Sequence, residues 1–215
     1  MNNSTLLSIE TSLNRIYLII LKRKEIFEVL KKNVKSVEIE LNLLIREIMR
    51  NANINFIDLD YIMVSLGPGS FTGTRVGISA AKAISVITGK KIIGFSNFET
   101  IYNTILIKDK KLIGSDVEIL VKAHKDSFFS QTFSAENKYK QKMKYKRLED
   151  IQKNYRERKF FIGNFKNKYH IENFIECWPS KRGYLKMVRN KVLVLKKNVT
   201  TELNPIYIKE HYANK

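Results

Sequence analysis

The chain has 215 residues, 44% of them hydrophobic and 28% charged, with a formal net charge of +18. That length holds one large domain or two small ones with ample core, and no apolar stretch reaches the roughly 18 residues that would cross a membrane. The start lacks the basic segment and long apolar core of a signal peptide, and a single cysteine, Cys177, allows no internal disulfide, so a cytoplasmic protein with no membrane partner is expected.

Thr5–Ile9, Arg15–Leu21 and Glu25–Lys31 are apolar or alternating runs joined by short polar turns and predict three strands. A helix follows from Ser36, a candidate N-cap, to about Asn51. Next come a strand over Tyr61–Leu66, a glycine-rich loop, a helix over Thr74–Thr88 closed by Gly89, and a strand over Lys91–Phe95. Asn97 is a candidate cap for a helix over Phe98–Ile107. Beyond Lys108-Asp109-Lys110-Lys111, a candidate boundary, strands are predicted over Glu118–Ala123, Ser127–Ser134, Met143–Leu148 and Lys159–Gly163. Periodicity alone gives mixed α/β.

The positive charge is uneven. Up to residue 105 there are 13 basic and 9 acidic residues, and after it 26 and 12, so the halves carry +4 and +14. Such an excess attracts RNA or an acidic protein. Its densest stretch, 138–146, alternates: a strand there projects Lys138, Lys140, Lys142, Lys144 and Lys146 from one face, and Tyr139, Gln141, Met143 and Tyr145 from the other. A solvated outer strand in a lysine-rich chain explains the same pattern, and Lys outnumbers Arg by 29 to 10 where phosphate-reading surfaces often favour Arg.

The most specific segment is the loop Gly67-Pro68-Gly69-Ser70-Phe71-Thr72-Gly73-Thr74-Arg75-Val76-Gly77, between a predicted strand and a predicted helix. Its glycines permit unusual backbone or close approach, and Ser70, Thr72 and Thr74 are side chains that cap helix starts. The free amides at a helix N-terminus suit an anion, yet a purely structural turn fits equally well. Neither the P-loop nor the dinucleotide fingerprint is matched.

This run resembles the Gly-Pro-Gly-Ser-Phe-Thr-Gly-x-Arg-x-Gly signature of the TsaB (YeaZ) family, non-catalytic partners in bacterial tRNA threonylcarbamoyladenosine synthesis. Leu6-Leu7-Ser8-Ile9-Glu10-Thr11-Ser12 resembles that family's opening strand, and Pro205-Ile206-Tyr207-Ile208-Lys209 its close. The likeness is strong over about residues 5 to 100 and weak from about 106 to 200. It implies an actin-like (RNase H-like) α/β fold, two similar lobes of mixed sheet with flanking helices. The first lobe, 1–107, would carry the loop and the partner helices; the second, 108–215, would be reduced and basic. It also implies a non-catalytic subunit that binds and activates a TsaD-type catalytic paralogue as a heterodimer. A TsaE-type small ATPase would join, tRNA would be held through the complex, and the chain alone would form a homodimer. No cofactor is expected in this chain; ATP/ADP and a metal ion are expected on the partner subunits.

On the first helix, Val37, Leu41, Leu44, Ile45 and Ile48 form one stripe, while Ile39 and Leu43 lie opposite beside Glu40, Arg46 and Glu47. The second helix carries only Arg75 and Lys82 as charges and is rich in small residues that let another helix approach. Either the chain's own C-terminal segment covers these strips or a partner does. The resemblance favours a partner, with Ile39, Leu43, Val76, Ala80 and Ala83 as contacts and Gly67, Gly69, Gly73 and Arg75 shaping the loop.

Catalytic candidates are few. His124, His170 and His211 are far apart, without the His-x-x-x-His pair that holds metal in the catalytic paralogue, and no hydrolase motif occurs. Actin-like ATPases end their first strand in a carboxylate followed by a glycine-bearing phosphate turn. Here Glu10 is followed by Thr11-Ser12-Leu13-Asn14, without glycine. Where relatives show Asp-Ala-Arg in the second lobe, this chain has Lys122-Ala123-His124. Glu10, Thr11, Ser12 and Lys122 therefore read as degenerate nucleotide-site positions, Glu10 as a hydrogen-bonded structural residue and Lys122 as a cation able to meet a phosphate. Cys177, beside Trp178 and Pro179, reads as a packed small hydrophobe. Two alternatives stay open, an actin-like nucleotide-dependent kinase or ATPase and a basic tRNA-binding module.

Overall fold

The computed structural model describes residues 4–133, 142–153, 159–195 and 203–206, with side chains in the last helix described as far as Val188. The chain divides into two compact units, 1–96 with 191–206, and 97–190 with 207–215.

The first unit is built on a sheet of β1 (Thr5–Glu10), β2 (Arg15–Lys22), β3 (Glu25–Lys32), β4 (Tyr61–Ser65) and β5 (Lys91–Phe95), in the order β3-β2-β1-β4-β5. β1 runs antiparallel to β2 and parallel to β4, and β4 parallel to β5. β1 is buried along its whole length, as expected of a central strand, whereas edge strand β3 is mostly exposed. The register aligns Leu7 with Ile20 and Ile62, and Ile9 with Leu18 and Val64, in one apolar row. A one-residue slip would put Ser8 and Glu10 into that row, so the pairing is strongly specified.

Two helices cover this row. α1 (Val37–Asn51) packs on β2 and β3, and α2 (Phe71–Thr88) on β4, β1 and β5; the helices also touch each other. Ser36 caps α1, its side chain accepting the Ile39 amide, and Leu41, Ile45, Ile48 and Met49 go into the core. α2 starts earlier than its periodicity suggests, at Phe71, because Ser70 is its cap and accepts the Gly73 amide at 3.2 Å. Gly89 closes α2 at φ +70°.

The second unit carries β6 (Asp116–Lys122), β7 (Ser127–Phe133), β8 (Lys144–Arg147), β9 (Lys159–Gly163) and β10 (Phe174–Glu176), ordered β10-β9-β6-β7-β8. Counted from its own first strand, this is the connectivity of the first sheet: two antiparallel neighbours on one side, two parallel on the other. α3 (Asn97–Lys108) packs on β6 and β9. Among the described residues, the six-residue α4 (Leu148–Lys153) stands where α1 does in the first unit, and β9 passes to β10 without a helix. α5 (Lys181–Leu195) begins against α3, where Gly183 approaches Thr100 and Thr104 too closely for any side chain.

The lysine-rich strand is shorter than its alternation implies. β8 spans only Lys144–Arg147, Lys142 and Met143 precede it, and 134–141 lie outside the described residues. Lys146 is not a solvated lysine either: at 18% exposure its Nζ lies 2.6 Å from Glu118 on β6. Leu148, expected in that strand, opens α4 instead, and Ala123 lies just past β6.

Candidate functional site

Glu10 ends β1 with no exposed surface. Its Oε1 accepts the amides of Ser12 and Leu13 at 2.7 and 3.0 Å and the Ser12 hydroxyl at 3.0 Å. Its Oε2 meets Arg15 Nε at 3.2 Å, and Arg15 is itself only 4% exposed. This carboxylate is consumed inside the β1–β2 turn: it caps the turn and neutralises a buried guanidinium.

The glycine loop locks onto the same turn. The Ser70 amide donates to the Ser12 carbonyl at 2.7 Å, and the Thr11 hydroxyl donates to the Gly73 carbonyl at 2.6 Å. A Cβ at Gly69 or Gly73 would run into the carbonyl oxygens of Ser12 or Thr11, and one at Gly77 into the Thr11 hydroxyl. Gly67, at φ +91°, turns the chain out of β4, and its amide donates to the Ser65 hydroxyl at 3.1 Å. The C-terminal segment joins here as well, the Ile206 amide donating to the Leu66 carbonyl at 2.8 Å. The structure thus brings Glu10, Thr11, Ser12, Gly67, Gly69, Ser70 and Gly73 together as an interlocked turn and loop. Thr72 and Arg75 stand outside it, exposed, with the Arg75 guanidinium 3.8 Å above the Phe71 ring.

Outside the core, α1 and α2 present an apolar face. Ile39 is 67% and Leu43 60% exposed on α1. On α2, Val76 and Ala80 are half-buried against the first unit's core and Ala83 is exposed. Sequence reasoning missed the end of this stripe: Val86 and Ile87 are 85% and 82% exposed. At 100° per residue they share one arc about 120° wide with Val76, Ala80 and Ala83, so the helical angles contained the signal. Glu40 borders the α1 side. Hydrogen bonds from Lys31 and from the Ser36 and Lys35 amides hold its carboxyl below the ordinary range. An apolar centre with a charged rim is the anatomy of a protein-binding surface.

Lys122 ends β6, where its ammonium donates to the Tyr169 hydroxyl and lies 4.8 Å from that ring's centroid. Among the described residues no three His, Cys, Asp or Glu side chains come together as a metal site, and no helix is long and apolar enough to cross a membrane. Cys177 is fully buried, and burial pushes its thiol up to about 11 despite the charge of Lys108.

The sequence model of the family described as TsaD, tRNA N6-adenosine threonylcarbamoyltransferase, matches residues 34–150, more than half of the chain. A protein named "tRNA threonylcarbamoyladenosine biosynthesis protein TsaB" from Buchnera aphidicola subsp. Schizaphis graminum is 25% identical over 186 residues, covering 83% of this chain and 87% of that one. The chain belongs to this family, in its TsaB (YeaZ) line. A tRNA N6-adenosine threonylcarbamoyltransferase of Bartonella henselae is 44% identical over 59 residues, which is 27% of this chain and 16% of that protein. In three dimensions YeaZ from Pseudomonas aeruginosa aligns with a TM-score of 0.76 at 15% identity, covering 95% of this chain and all of that one, which shows a shared fold. That shared fold is mixed α/β, and its two five-stranded sheets repeat one connectivity in this chain.

Proposed function

We propose that this TsaB-line protein is a non-catalytic subunit of the machinery that makes threonylcarbamoyladenosine in tRNA. It binds a TsaD-type catalytic paralogue through the outer face of α1 and α2 and holds it in its active shape. The observation that carries this reading is the apolar face itself, with Ile39, Leu43, Val86 and Ile87 each at least 60% exposed on two helices that pack side by side. Exposed apolar surface gathered in this way marks an interaction site. A TsaE-type ATPase joins the complex, and ATP or ADP and the metal ion belong to the partner subunits. Glu10 supports the division of labour, because every contact it makes is spent on its own turn and on Arg15. The same fact counts against a nucleotide-dependent kinase built on Glu10.

Reconstitution tests the role. Threonylcarbamoyl transfer to unmodified tRNA is measured with the paralogue, the small ATPase and this chain, and with each omitted in turn. The expected result is turnover only when the paralogue and this chain are both present, and none with this chain alone. Undiminished transfer without this chain, or transfer by this chain alone, would overturn the reading.

A further inference from the structure

The connection between β9 and β10 holds two ammonium groups against one aromatic ring. Asn167 ties this loop together: its Oδ1 accepts the Ile171 amide at 2.9 Å and its Nδ2 donates to the Ile171 carbonyl at 2.8 Å. Lys168, Tyr169 and His170 are thereby presented in a fixed turn, and Gln152 of α4 adds a bond of 3.3 Å to the Tyr169 carbonyl. The Tyr169 ring is steadied by edge contacts with Phe128 and Phe165, at centroid distances of 5.3 and 6.0 Å. Against that ring lie Lys122 Nζ, 4.8 Å from the centroid, and Lys168 Nζ, 5.1 Å from it.

Among the described residues neither lysine forms an ion pair, whereas Lys146 and Lys159 in the same unit both pair with Glu118. Lys125 and Lys166, both exposed, add positive charge on the two adjoining loops. Asp126 and Glu172, the acids of the two adjoining loops, pair with none of these lysines. Like charges held near one ring repel, and an anion between them relieves the repulsion. Lysine ammoniums suit a phosphate as point charges that read no base.

We infer that Lys122, Lys168 and the Tyr169 hydroxyl form a phosphate-binding site on the second unit. The site is open: Lys168 is exposed and Tyr169 half-buried. It lies in the half of the chain that carries +14 of the net charge. Those features fit a phosphodiester of an extended RNA better than an enclosed small molecule, and the contact is independent of sequence. No catalytic partner is required for it.

The test uses the full chain alone and fluorescence anisotropy of a fluorescein-labelled single-stranded RNA, with pyrophosphate and ATP as competitors. K122Q/K168Q is compared with K24Q/K91Q, which removes two exposed charges from the first unit. The expected result is binding that K122Q/K168Q weakens about tenfold at low salt, with the salt slope reduced by about 0.7, the value for one single-strand phosphate that is no longer neutralised. The control variant stays within about twofold of wild type. Lys168→Gln alone, at an exposed position, gives a partial loss and serves should the double variant fold poorly. Competition by pyrophosphate or ATP that depends on Lys122 and Lys168 places a free phosphate compound at the site; its absence leaves the RNA backbone as the ligand. Equal weakening by both double variants, or no RNA or phosphate binding by the wild-type chain, would overturn the proposal.

Discussion

The two sheets share one connectivity and diverge at the ends of their first strands. β1 ends in Glu10, fully buried and bonded to Ser12, Leu13 and Arg15; β6 ends in Lys122, half-exposed, its ammonium on the hydroxyl of Tyr169. The first unit has two long helices over its sheet, while the described residues of the second show a six-residue helix and a helix-free turn in their places. One connectivity therefore carries two different strand ends. In the first unit the strand-end charge is turned inward as a clamp on Arg15. In the second the strand-end carboxylate is gone, and the half-exposed Lys122 has the Tyr169 hydroxyl in place of an ion pair.

The largest contrast comes from cutting each strand end. Glu10→Ala leaves Arg15 buried and unpaired and lowers stability by about 3–5 kcal/mol, whereas Lys122→Ala costs no more than about 1 kcal/mol. Urea denaturation of both variants measures the difference. Near-equal losses would remove the distinction between clamp and open cation.

The glycines give the next contrast. Gly73→Ala drives a Cβ into the Thr11 carbonyl, which the interlocked loop cannot move, and costs about 1–3 kcal/mol. Gly163→Ala, at the end of β9, meets only the ring edges of Phe165 and Phe174, which can shift, so its loss of stability is smaller. Thermal melts of the pair check this order.

A pH effect belongs to the second unit. Burial pushes the Glu118 carboxyl up, but hydrogen bonds from Lys146 and Lys159 outweigh it and hold the carboxyl below its ordinary value of 4.5. A depressed carboxylate contributes stability that is present above that value and is lost as pH falls through the lowered one. The melting temperature of the wild type therefore drops as pH goes from 6 toward 3, and Glu118→Gln flattens that part of the curve while lowering its plateau. An unchanged slope in Glu118→Gln would assign the acid sensitivity to other carboxylates.

How much the sequence disclosed follows the same division. β1 to β5, α1 and most of α2 were legible because their apolar runs are long and because Ser36 and Gly89 mark the start of α1 and the end of α2. The choice of Ser70 among three capping candidates was not legible, and the periodicity started α2 too late. Ile39 and Leu43 were legible as outward-facing because they oppose the core stripe of α1. The second unit was harder to read. β10 has three residues, too few for alternation to register, and α5 hides Tyr184, Met187 and Val188 among Lys and Arg. Pairings such as Glu118 with Lys146 and Lys159, or Tyr169 with Lys122, join residues far apart in the chain and exist only once the sheet has formed. The clamp of Arg15 on Glu10 is closer in sequence, yet it needs the β1–β2 register to bring the two side chains together.

The smallest expected change in stability accompanies the largest expected change in function. Ile39→Glu/Leu43→Glu alters side chains that are 67% and 60% exposed, so its unfolding free energy stays within about 0.5 kcal/mol of wild type for each substitution. Multi-angle light scattering of this chain mixed with the same organism's TsaD-type paralogue then tests the central claim. The expected result is a heterodimer with the wild type and separate species with the folded double variant. A heterodimer of undiminished affinity with Ile39→Glu/Leu43→Glu would contradict it.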